Sequence, residues 1–504
     1  MYEIKVGCGK RTINVPEELY PFPIYANYSF DEMGDSGDLY ARALVIDNGQ
    51  TYFLFVGTDV SDAPGKALRE AIEEKYGIPE DHMYVTAAHN HSAPHGGGRK
   101  GAGKSLDPTR FEKEAAYRAI YEQGILDAVG DAMESRRPAR YGFGEGKSYI
   151  NVNRDLPLED GYWTQGMNPA GPSDKTLAAL KFTDFDGRLI GAVVNYACHG
   201  TTAFCVKDTN GRIRVTPGFA GIACSYAEER FRVGNARADV PEEESGAAPA
   251  GDAREENGAE GCHCADGQSA PDPVIVWTNG ASGDQNPLFC SEGFPRTFDP
   301  DGYTESVPTP PGTQYMIQRS HGGTHGVDII RTLNSITADS GQMPITCVET
   351  QVELEAQKAP EGADMFVNKL LCDNTVRQFR PDLCPDGKVP EKKLVRMEPD
   401  GTVSMTMRLA LLGDVGWVGV YGEPYSTIGM KCKAASPLAH TVMVLHVDDE
   451  IGVGYILDDA SADHTVFQSF STVHPGHVDD AIVGGTVRLC EQALAVREKE
   501  VFRA

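Results

Sequence analysis

The sequence has no long hydrophobic run and little positive charge. Nowhere in its 504 residues do eighteen or more apolar residues follow one another, so we expect no integral membrane segment. The first twenty residues lack an apolar stretch behind a basic leader, and we expect no export signal. With 73 acidic and 46 basic residues, the formal net charge of -27 would repel nucleic acids and anionic membranes. These absences favour a soluble, cytoplasmic protein that does not bind nucleic acid.

The twelve cysteines lack the spacing of a disulfide framework. They are scattered over the chain, and without an export signal we expect most of them to be reduced, small core residues. One tight cluster, Cys262, His263 and Cys264, offers metal-ligating side chains. A structural zinc site needs four ligands, and this cluster lies in an acidic, loop-like context. We therefore favour a loop over a metal site at this position.

The hydrophobic pattern alternates between short strands and amphipathic helices. The apolar run over 51–60 predicts a strand, the spacing over 63–77 predicts a helix that ends at Gly77, and the run over 82–92 predicts the next strand. Similar alternation continues through the chain. We predict an α/β protein with mixed β-sheets flanked by helices, folded as a single catalytic domain over residues 1–504.

One segment departs from this pattern. Residues 234–273 are rich in Ala, Gly, Glu and Pro and poor in large apolar side chains. A segment of this composition buries too little apolar surface to offset the entropy of ordering it. We predict a mobile, acidic surface insertion.

Three histidines, His89, His91 and His95, lie in the run VTAAHNHSAPHGGG. His89 and His91 are two residues apart at the end of a predicted strand, so they should point to the same face, because side chains alternate with a period of two. Neutral imidazole suits zinc, and the small neighbouring residues leave room for an ion and a substrate. Hydrogen-bonded structural histidines have the same spacing, so this run alone leaves both interpretations open.

Two further metal-ligating side chains follow apolar strands elsewhere. His199 closes the run in NYACHGTTA, and Glu423 follows VGVYG. Each of them alone would be a loop residue whose polar group is satisfied by the backbone. Because α/β proteins place ligands at the ends of strands, three such residues together favour a metal site.

Several short motifs follow one another along the chain. In order they are VGCGKRTINVP, LYARALVIDNG, VTAAHNHSAPHGG, VNRDLP, MNPAGPSDKTLAALKF, VVNYACHGTT, TNGASGDQNP, VGVYGEPYS and VGYILDD. Their order resembles that in the catalytic domain of the neutral ceramidases, zinc-dependent amidases that split an N-acyl sphingosine. The resemblance covers most of the chain. It implies a neutral-ceramidase-like fold and Zn²⁺ as the cofactor.

The family's site residues can be carried over to matching positions. The resemblance implies that the zinc ligands are His89, His199, Glu423 and Tyr455. It also implies that His91 faces the reaction and that Arg154 lies beside the substrate amide, where a guanidinium can stabilise an oxyanion. From the residues alone, two alternatives stay open: Tyr455 is a packed tyrosine, and Arg154 is a surface ion-pair residue. His95 lies outside this set.

The sequence departs from the family where a serine lies beside the scissile amide. Aligning Gly221 with a family glycine places Thr216 at the serine position and Gly218 at the acidic one. Threonine keeps the hydroxyl but is stiffer about its first torsion, and Pro217 biases it towards an extended backbone. The helical pattern over 479–502 reaches the end of the sequence, so we expect no C-terminal β-domain such as many family members carry.

These residues predict a zinc-dependent hydrolase that cleaves an amide bond with a metal-activated water. Bound zinc lowers the pKa of its water towards about 7 and polarises a carbonyl. Arg154 and the Thr216 hydroxyl would stabilise the oxyanion, and His91 would pass a proton to the leaving amine. The expected substrate is an N-acyl amine, either a lipid or a small metabolite. The sequence does not predict the oligomeric state.

Alternatives stay open at this point. The same site would hydrolyse an ester or a lactone, and a non-catalytic binding protein would also keep the metal. Metallo-β-lactamase-type hydrolases carry an HxH pair, but with an aspartate and a third histidine directly behind it, where this sequence has Ala93 and Pro94 before a displaced His95. His321 and His325, in SHGGTHG, either contribute to the pocket or lie in a glycine-rich loop.

Overall fold

The computed structural model describes most of the chain, with gaps. The described residues are 3–25, 28–95, 107–158, 161–238, 271–290, 296–298, 304–306, 310–372, 375–388, 395, 397–447 and 453–501. Within these ranges no helix is both long enough and apolar enough to span a bilayer.

The described ranges contain helices and short strands in alternation, as the hydrophobic pattern predicts. The α-helices are α1 (Lys66–Tyr76), α2 (Arg110–Glu134), α3 (Gly218–Ala238), α4 (Thr313–Ser335), α5 (Met365–Cys372), α6 (Val376–Phe379), α7 (Ser426–Ala435) and α8 (Val478–Val501). The strands are β1 (Lys5–Thr12), β2 (Phe22–Tyr25), β3 (Tyr28–Phe30), β4 (Glu32–Met33), β5 (Tyr40–Asp47), β6 (Tyr52–Thr58), β7 (Met83–Ala87), β8 (Arg137–Pro138), β9 (Arg140–Lys147), β10 (Asn151–Pro157), β11 (Trp163–Asn168), β12 (Thr176–Thr183), β13 (Leu189–Tyr196), β14 (Arg214–Val215), β15 (Val274–Asn279), β16 (Gln285–Pro287), β17 (Arg296–Phe298), β18 (Thr304–Ser306), β19 (Ile345–Lys358), β20 (Glu398–Leu412), β21 (Val415–Val420), β22 (Glu423–Pro424), β23 (His440–Leu445) and β24 (Tyr455–Ile456).

Three larger sheets form the framework. The first has the strand order β7-β6-β5-β1-β8, the second β15-β13-β12-β9 and the third β19-β20-β21-β23. The first sheet contains the predicted strand, helix, strand unit, in which α1 connects the parallel strands β6 and β7 and ends at Gly77 in a left-handed conformation. The mixed sheets and flanking helices confirm the predicted α/β class.

A shared apolar core connects the three sheets. Phe55 of the first sheet, Val193 of the second and Trp417 of the third belong to one buried cluster, and the rings of Phe55 and Trp417 lie 5.1 Å apart. The helix α2 packs with the first sheet, α3 and α4 with the second, and α8 with the third. Burial of this core at about 25 cal/mol per Å² of apolar area is the main term that holds the sheets together.

Each of the three sheets contains one parallel pair at its edge. The pairs are β6 with β7, β13 with β15, and β21 with β23. Parallel strands bring their carboxyl ends to the same edge of a sheet, which is where α/β proteins bind ligands. Of the predicted site residues, His89, His91, His199 and Glu423 follow strands of these pairs, whereas Arg154 lies in β10, Thr216 follows β14 and Tyr455 lies in β24.

The end of helix α3 overlaps the predicted insertion. Helix α3 continues to Ala238, so the first five residues of 234–273 are helical, and the Asn235 side chain exchanges two hydrogen bonds with the backbone of Leu189. Composition missed this because a tertiary contact stabilises the last turn. Residues 239–270, which include Cys262 and Cys264, lie outside the described residues.

The SHGGTHG segment is helical, which corrects the alternative of a glycine-rich loop. It lies within α4, and a Cβ on Gly322 would come within 2.4 Å of Ile222 in α3. A Cβ on Gly326 would come within 2.8 Å of Tyr226 in the same helix. These glycines therefore let two helices approach each other closely, a contact that local sequence does not reveal.

Candidate metal centre

The HxH pair lies in a turn and not on a strand. Strand β7 ends at Ala87, and His89 has a φ of 51°, a left-handed backbone that residues with a Cβ rarely adopt. The predicted alternation along a strand is therefore wrong. The turn itself brings the rings of His89 and His91 together, with centroids 4.9 Å apart.

The loop that carries His199 lies directly against this turn. The His91 backbone N–H donates to the Gly200 carbonyl at 3.0 Å. A Cβ on Gly200 would lie 2.7 Å from the Cα of Asn90, so the two loops can meet only where one of them has glycine. The contact places His199 beside His89, with ring centroids 4.9 Å apart.

Glu423 and Tyr455 are direct partners in the short parallel pair of β22 and β24. Paired positions present their side chains to the same side, so the carboxylate and the phenol project together. Glu423 Oε2 lies 3.0 Å from His199 Nε2, and the Tyr455 hydroxyl lies 3.3 Å from the same nitrogen.

Three buried side chains, His89, His199 and Glu423, converge as possible metal ligands. His89 Nε2 lies 3.7 Å from Glu423 Oε2, and His199 Nε2 lies 3.0 Å from it. Ligand atoms bound to tetrahedral zinc at about 2.0–2.1 Å are about 3.3 Å from one another. The observed separations lie on either side of that value, so the donor set fits zinc, and Tyr455 offers a fourth oxygen.

Burial sets the charge state of these groups. It lowers the pKa of His89 well below its ordinary value, and it lowers the pKa of His199 to about 3, with a further contribution from Arg154. Burial alone would raise the pKa of Glu423, but His89 and His199 hold that pKa well below its usual range. Neutral imidazoles and an ionised carboxylate are the forms that bind a metal. Burial raises the pKa of Tyr455, which keeps its phenol protonated without a cation.

A backbone contact orients His89. Its Nδ1 lies 3.0 Å from the Ser61 carbonyl, which can only accept, so Nδ1 carries the proton. This arrangement leaves Nε2 free of a proton and directed at Glu423. A carbonyl that fixes the ring nitrogen opposite the metal is a common feature of metal-ligating histidines.

Arg154 is almost fully buried beside His199 and Tyr455. Its burial rules out the alternative that it is a surface ion-pair residue. Its Nε donates to the Gly283 carbonyl at 3.1 Å and its Nη1 to Asn286 Oδ1 at 3.2 Å. Its Nη2 lies 3.4 Å from His199 Nε2, and its Cζ lies 5.2 Å from the Tyr455 ring centroid. The guanidinium is therefore held rigidly, with Nη2 beside the candidate ligand His199.

His91 lies next to His89 and is more exposed to solvent than the three candidate metal ligands. Its side chain is partly exposed, and its ring centroid is 6.3 Å from that of His199 and 5.3 Å from that of Phe204. Burial, together with His89, lowers the pKa of His91 well below its ordinary value. A neutral imidazole in this place can accept a proton.

Thr216 lies behind the histidine turn. Its hydroxyl donates to Gln318 Oε1 at 2.7 Å, and its carbonyl accepts from Asn90 Nδ2 at 2.7 Å. The second contact holds Asn90, the residue between His89 and His91 in the sequence. His95 lies apart from the metal group, with its Nδ1 2.6 Å from Asp62 Oδ2.

A single loop after β15 connects Arg154 with the segment that carries Glu423. Its Asp284 accepts from the Ser426 N–H at 2.7 Å and from the Ser426 hydroxyl at 3.0 Å. The backbone carbonyl of Asp284 accepts from the backbone N–H of Arg154 at 2.8 Å. Tyr425 donates to Asp155 at 2.9 Å. Asp284 and Asp155 thus connect the backbone of Arg154 and its neighbour to Tyr425 and Ser426, which follow Glu423.

Sequence reasoning missed His446. This residue directly follows β23, and its ring stacks on the ring of His89 at a centroid distance of 4.5 Å and an interplanar angle of 13°. The missed signal is the one that identified His199, since both histidines follow an apolar strand.

The fold resembles two solved structures. One is the neutral ceramidase from Pseudomonas aeruginosa, with a TM-score of 0.59 at 16% identity, covering 99% of this chain and 75% of that chain. The other is a ceramidase complexed with C2, with a TM-score of 0.61 at 15% identity, covering 99% of this chain and 76% of that one. At such identities the likeness establishes the fold, which is that of the ceramidase structures.

The sequence defines the family. The profile described as "Neutral/alkaline non-lysosomal ceramidase, N-terminal" matches residues 4–268, just over half of the chain, and the chain belongs to this family. Curated neutral ceramidases from Pseudomonas aeruginosa and Drosophila melanogaster are each 26% identical, over 44% and 45% of this chain. These matches span 33% and 32% of the relatives, about a third of their length. The resemblance seen in the sequence is confirmed.

Proposed function

We propose that this protein is a zinc-dependent amidase that hydrolyses an N-acyl amine. The observation that carries the proposal is the convergence of His89 Nε2 and His199 Nε2 on one oxygen of Glu423, at 3.7 and 3.0 Å. The Tyr455 hydroxyl beside them supports a fourth ligand. Membership of a family described as ceramidases supports an amide as the scissile bond, and a lipid amide as the first substrate to test.

The residues around the group divide the chemistry between them. A zinc ion held there would supply a Lewis acid for the substrate carbonyl and a water of lowered pKa. Arg154 stabilises the negative charge that develops on the carbonyl oxygen. Its Nε and Nη1 are held by the Gly283 carbonyl and by Asn286, and its Nη2, which also donates to the Gly283 carbonyl, lies 3.4 Å from His199 Nε2. The Thr216 hydroxyl donates to Gln318, so we assign oxyanion stabilisation to Arg154 alone.

His91 moves the proton. Its partly exposed ring is neutral and lies next to that of His89, so a ring nitrogen can take a proton from the attacking water and return it to the leaving amine. The departing amine is then protonated, which makes it a better leaving group.

Metal content and hydrolysis can be measured together. We expect purified protein to hold zinc and to hydrolyse N-acyl amines, and His199→Ala to lose both. His474→Ala is the matched control, because the His474 side chain is only partly buried and its Nδ1 lies 4.0 Å from Glu355 Oε2. Full turnover after removal of the metal would disprove the proposal.

Amide and ester substrates with the same acyl chain test which type of bond the protein hydrolyses. Faster hydrolysis of the amide, relative to the uncatalysed rates, supports an amidase. Cleavage of the ester alone would replace the proposal with an esterase, and zinc binding without any hydrolysis would indicate a binding protein.

A further inference from the structure

The imidazole of His446 covers one face of His89. The two rings are nearly parallel, and His446 is 5% exposed. The other sides of His89 are also occupied, since the Ser61 carbonyl holds Nδ1 and the rings of His91 and His199 meet it edge-on at 78° and 79°. His446 therefore completes the enclosure of the ring.

Both stacked residues have a left-handed backbone. The φ of His89 is 51° and that of His446 is 55°. This conformation is disfavoured for residues with a Cβ, and it persists where the surrounding structure imposes it, commonly at functional sites. The left-handed residue His446 comes directly after the last residue of β23.

His446 also connects two sheets. Leu445, the residue before it, pairs with Val420 of β21, which lies three residues before Glu423. His89 follows a strand of the first sheet. The stack is thus a direct contact between the loop that supplies a histidine ligand and the sheet edge that supplies the carboxylate.

We propose that His446 is a positioning residue for the metal centre, whose ring holds the plane of His89 so that Nε2 points at Glu423. The inference rests on the metal site of the proposed function and goes beyond it. It requires a flat ring at position 446 and no nitrogen.

Three substitutions separate the ring from its nitrogens. His446→Phe keeps a flat ring, whereas His446→Ala removes it. His446→Asn also removes it and tolerates a left-handed backbone, so it keeps the test valid if the alanine variant folds poorly. His440→Ala is the matched control, because His440 lies at the other end of β23 and packs on Phe143 with ring centroids 4.7 Å apart.

The measurement is the zinc dissociation constant of the full chain, by competition with a chromophoric chelator, together with the visible absorption of the Co²⁺ form. Outer-shell partners of metal ligands contribute about 10–100-fold to affinity. We expect His446→Ala and His446→Asn to weaken zinc binding by about 10-fold and to shift the Co²⁺ bands. His446→Phe and His440→Ala should resemble the wild type.

Two results would overturn the inference. Unchanged affinity in both ring-free variants would show that the stack does not position His89. A loss in His446→Phe as large as in His446→Ala would show that a nitrogen of His446 is what matters. Wild-type protein that binds zinc but hydrolyses no amide would disprove the amidase proposal and leave this comparison intact, whereas wild-type protein that binds no zinc would overturn both.

Discussion

Two pairs of buried histidines can be compared in this protein. His89 and His199 converge on Glu423, whereas His321 and His325 lie one turn apart on α4. Burial lowers the pKa in all four, so all four are neutral near pH 7. Burial and a lowered pKa therefore do not by themselves distinguish a metal site.

The partners of the ring nitrogens make the difference. Both nitrogens of His325 have partners inside the fold, since Nε2 accepts from Trp277 Nε1 at 3.2 Å and Nδ1 lies 3.0 Å from the Ser148 hydroxyl. His89 uses only Nδ1 for the backbone, and its Nε2 faces a carboxylate. A histidine that keeps one nitrogen for a buried anion is prepared for a cation, and one with both nitrogens occupied supports packing.

Removing the carboxylate should have the largest effect. Glu423→Gln preserves the shape but removes the charge that two imidazoles face. We expect zinc affinity to fall by more than about 100-fold, because even outer-shell partners contribute 10–100-fold. Isothermal titration with zinc measures the loss, and near-ultraviolet circular dichroism checks that the fold is intact. If Glu423→Gln bound zinc as tightly as the wild type, the carboxylate would not distinguish His89 and His199 from His321 and His325.

The opposite substitution tests the other pair. His325→Ala should leave zinc affinity unchanged but lower the free energy of unfolding by about 2–4 kcal/mol, the usual cost of truncating a large buried side chain. Urea unfolding of the metal-free protein measures the change. Weakened zinc binding in a folded variant would contradict the separation of roles.

Acid sharpens the comparison further. Histidine titrates near 6.5 when unfolded, whereas burial lowers the pKa of His321 to about 4 and that of His325 to about 3. At pH values between the folded and the unfolded pKa, the unfolded chain binds more protons than the folded protein. The free energy of unfolding is therefore unaffected by these two histidines above about pH 6.5, and it decreases as the pH falls from about 6.5 towards about 3. Each histidine contributes a slope of up to about 1.4 kcal/mol per pH unit.

His325→Phe should make the free energy of unfolding less dependent on pH, because the variant lacks the contribution of one of the two histidines. Urea unfolding at a series of pH values between 4 and 7 measures it. Adding zinc should not change this difference between the variant and the wild type, because His325 is not among the proposed ligands. An unchanged slope would mean that His325 is already charged in the folded protein.

The smallest effect concerns the glycines of α4. A Cβ on Gly323 would meet no atom within 4 Å, so Gly323→Ala should raise the free energy of unfolding by up to about 1 kcal/mol, through better helix propensity. Gly322→Ala is its matched partner and should be destabilising, because Ile222 occupies the space. Thermal unfolding of the two variants compares them, and equal effects would contradict the close packing of α3 and α4.

The sequence could predict where strands end but not how the loops turn. Apolar runs placed His199 and Glu423 correctly, because burial on both faces of a strand leaves a clear pattern. The turn at His89 has no such signal, since its left-handed backbone depends on contacts with Gly200 and Ser61. Tyr455 lies in a two-residue strand, too short to show periodicity, so only the family resemblance identified it.

The same limit explains the two missed features. Glycine is a poor helix former, so local propensity predicts a loop at SHGGTHG, and the tertiary contact between α3 and α4 overrides it. His446 had the strand-end signal, but nothing in the sequence indicates that it stacks on a residue that follows a different sheet.

Three of the proposed metal ligands, His89, His199 and Glu423, follow strands of three different sheets, and Tyr455 pairs with Glu423 in β22 and β24. The first and last of the four ligands, His89 and Tyr455, are separated by most of the chain. No partly folded state with one sheet missing can offer the complete set of ligands. Zinc would thus bind only the fully assembled protein, and its binding free energy would add to global stability and not to that of any one sheet. Metal occupancy would then serve as a measure of how much of a preparation has finished folding.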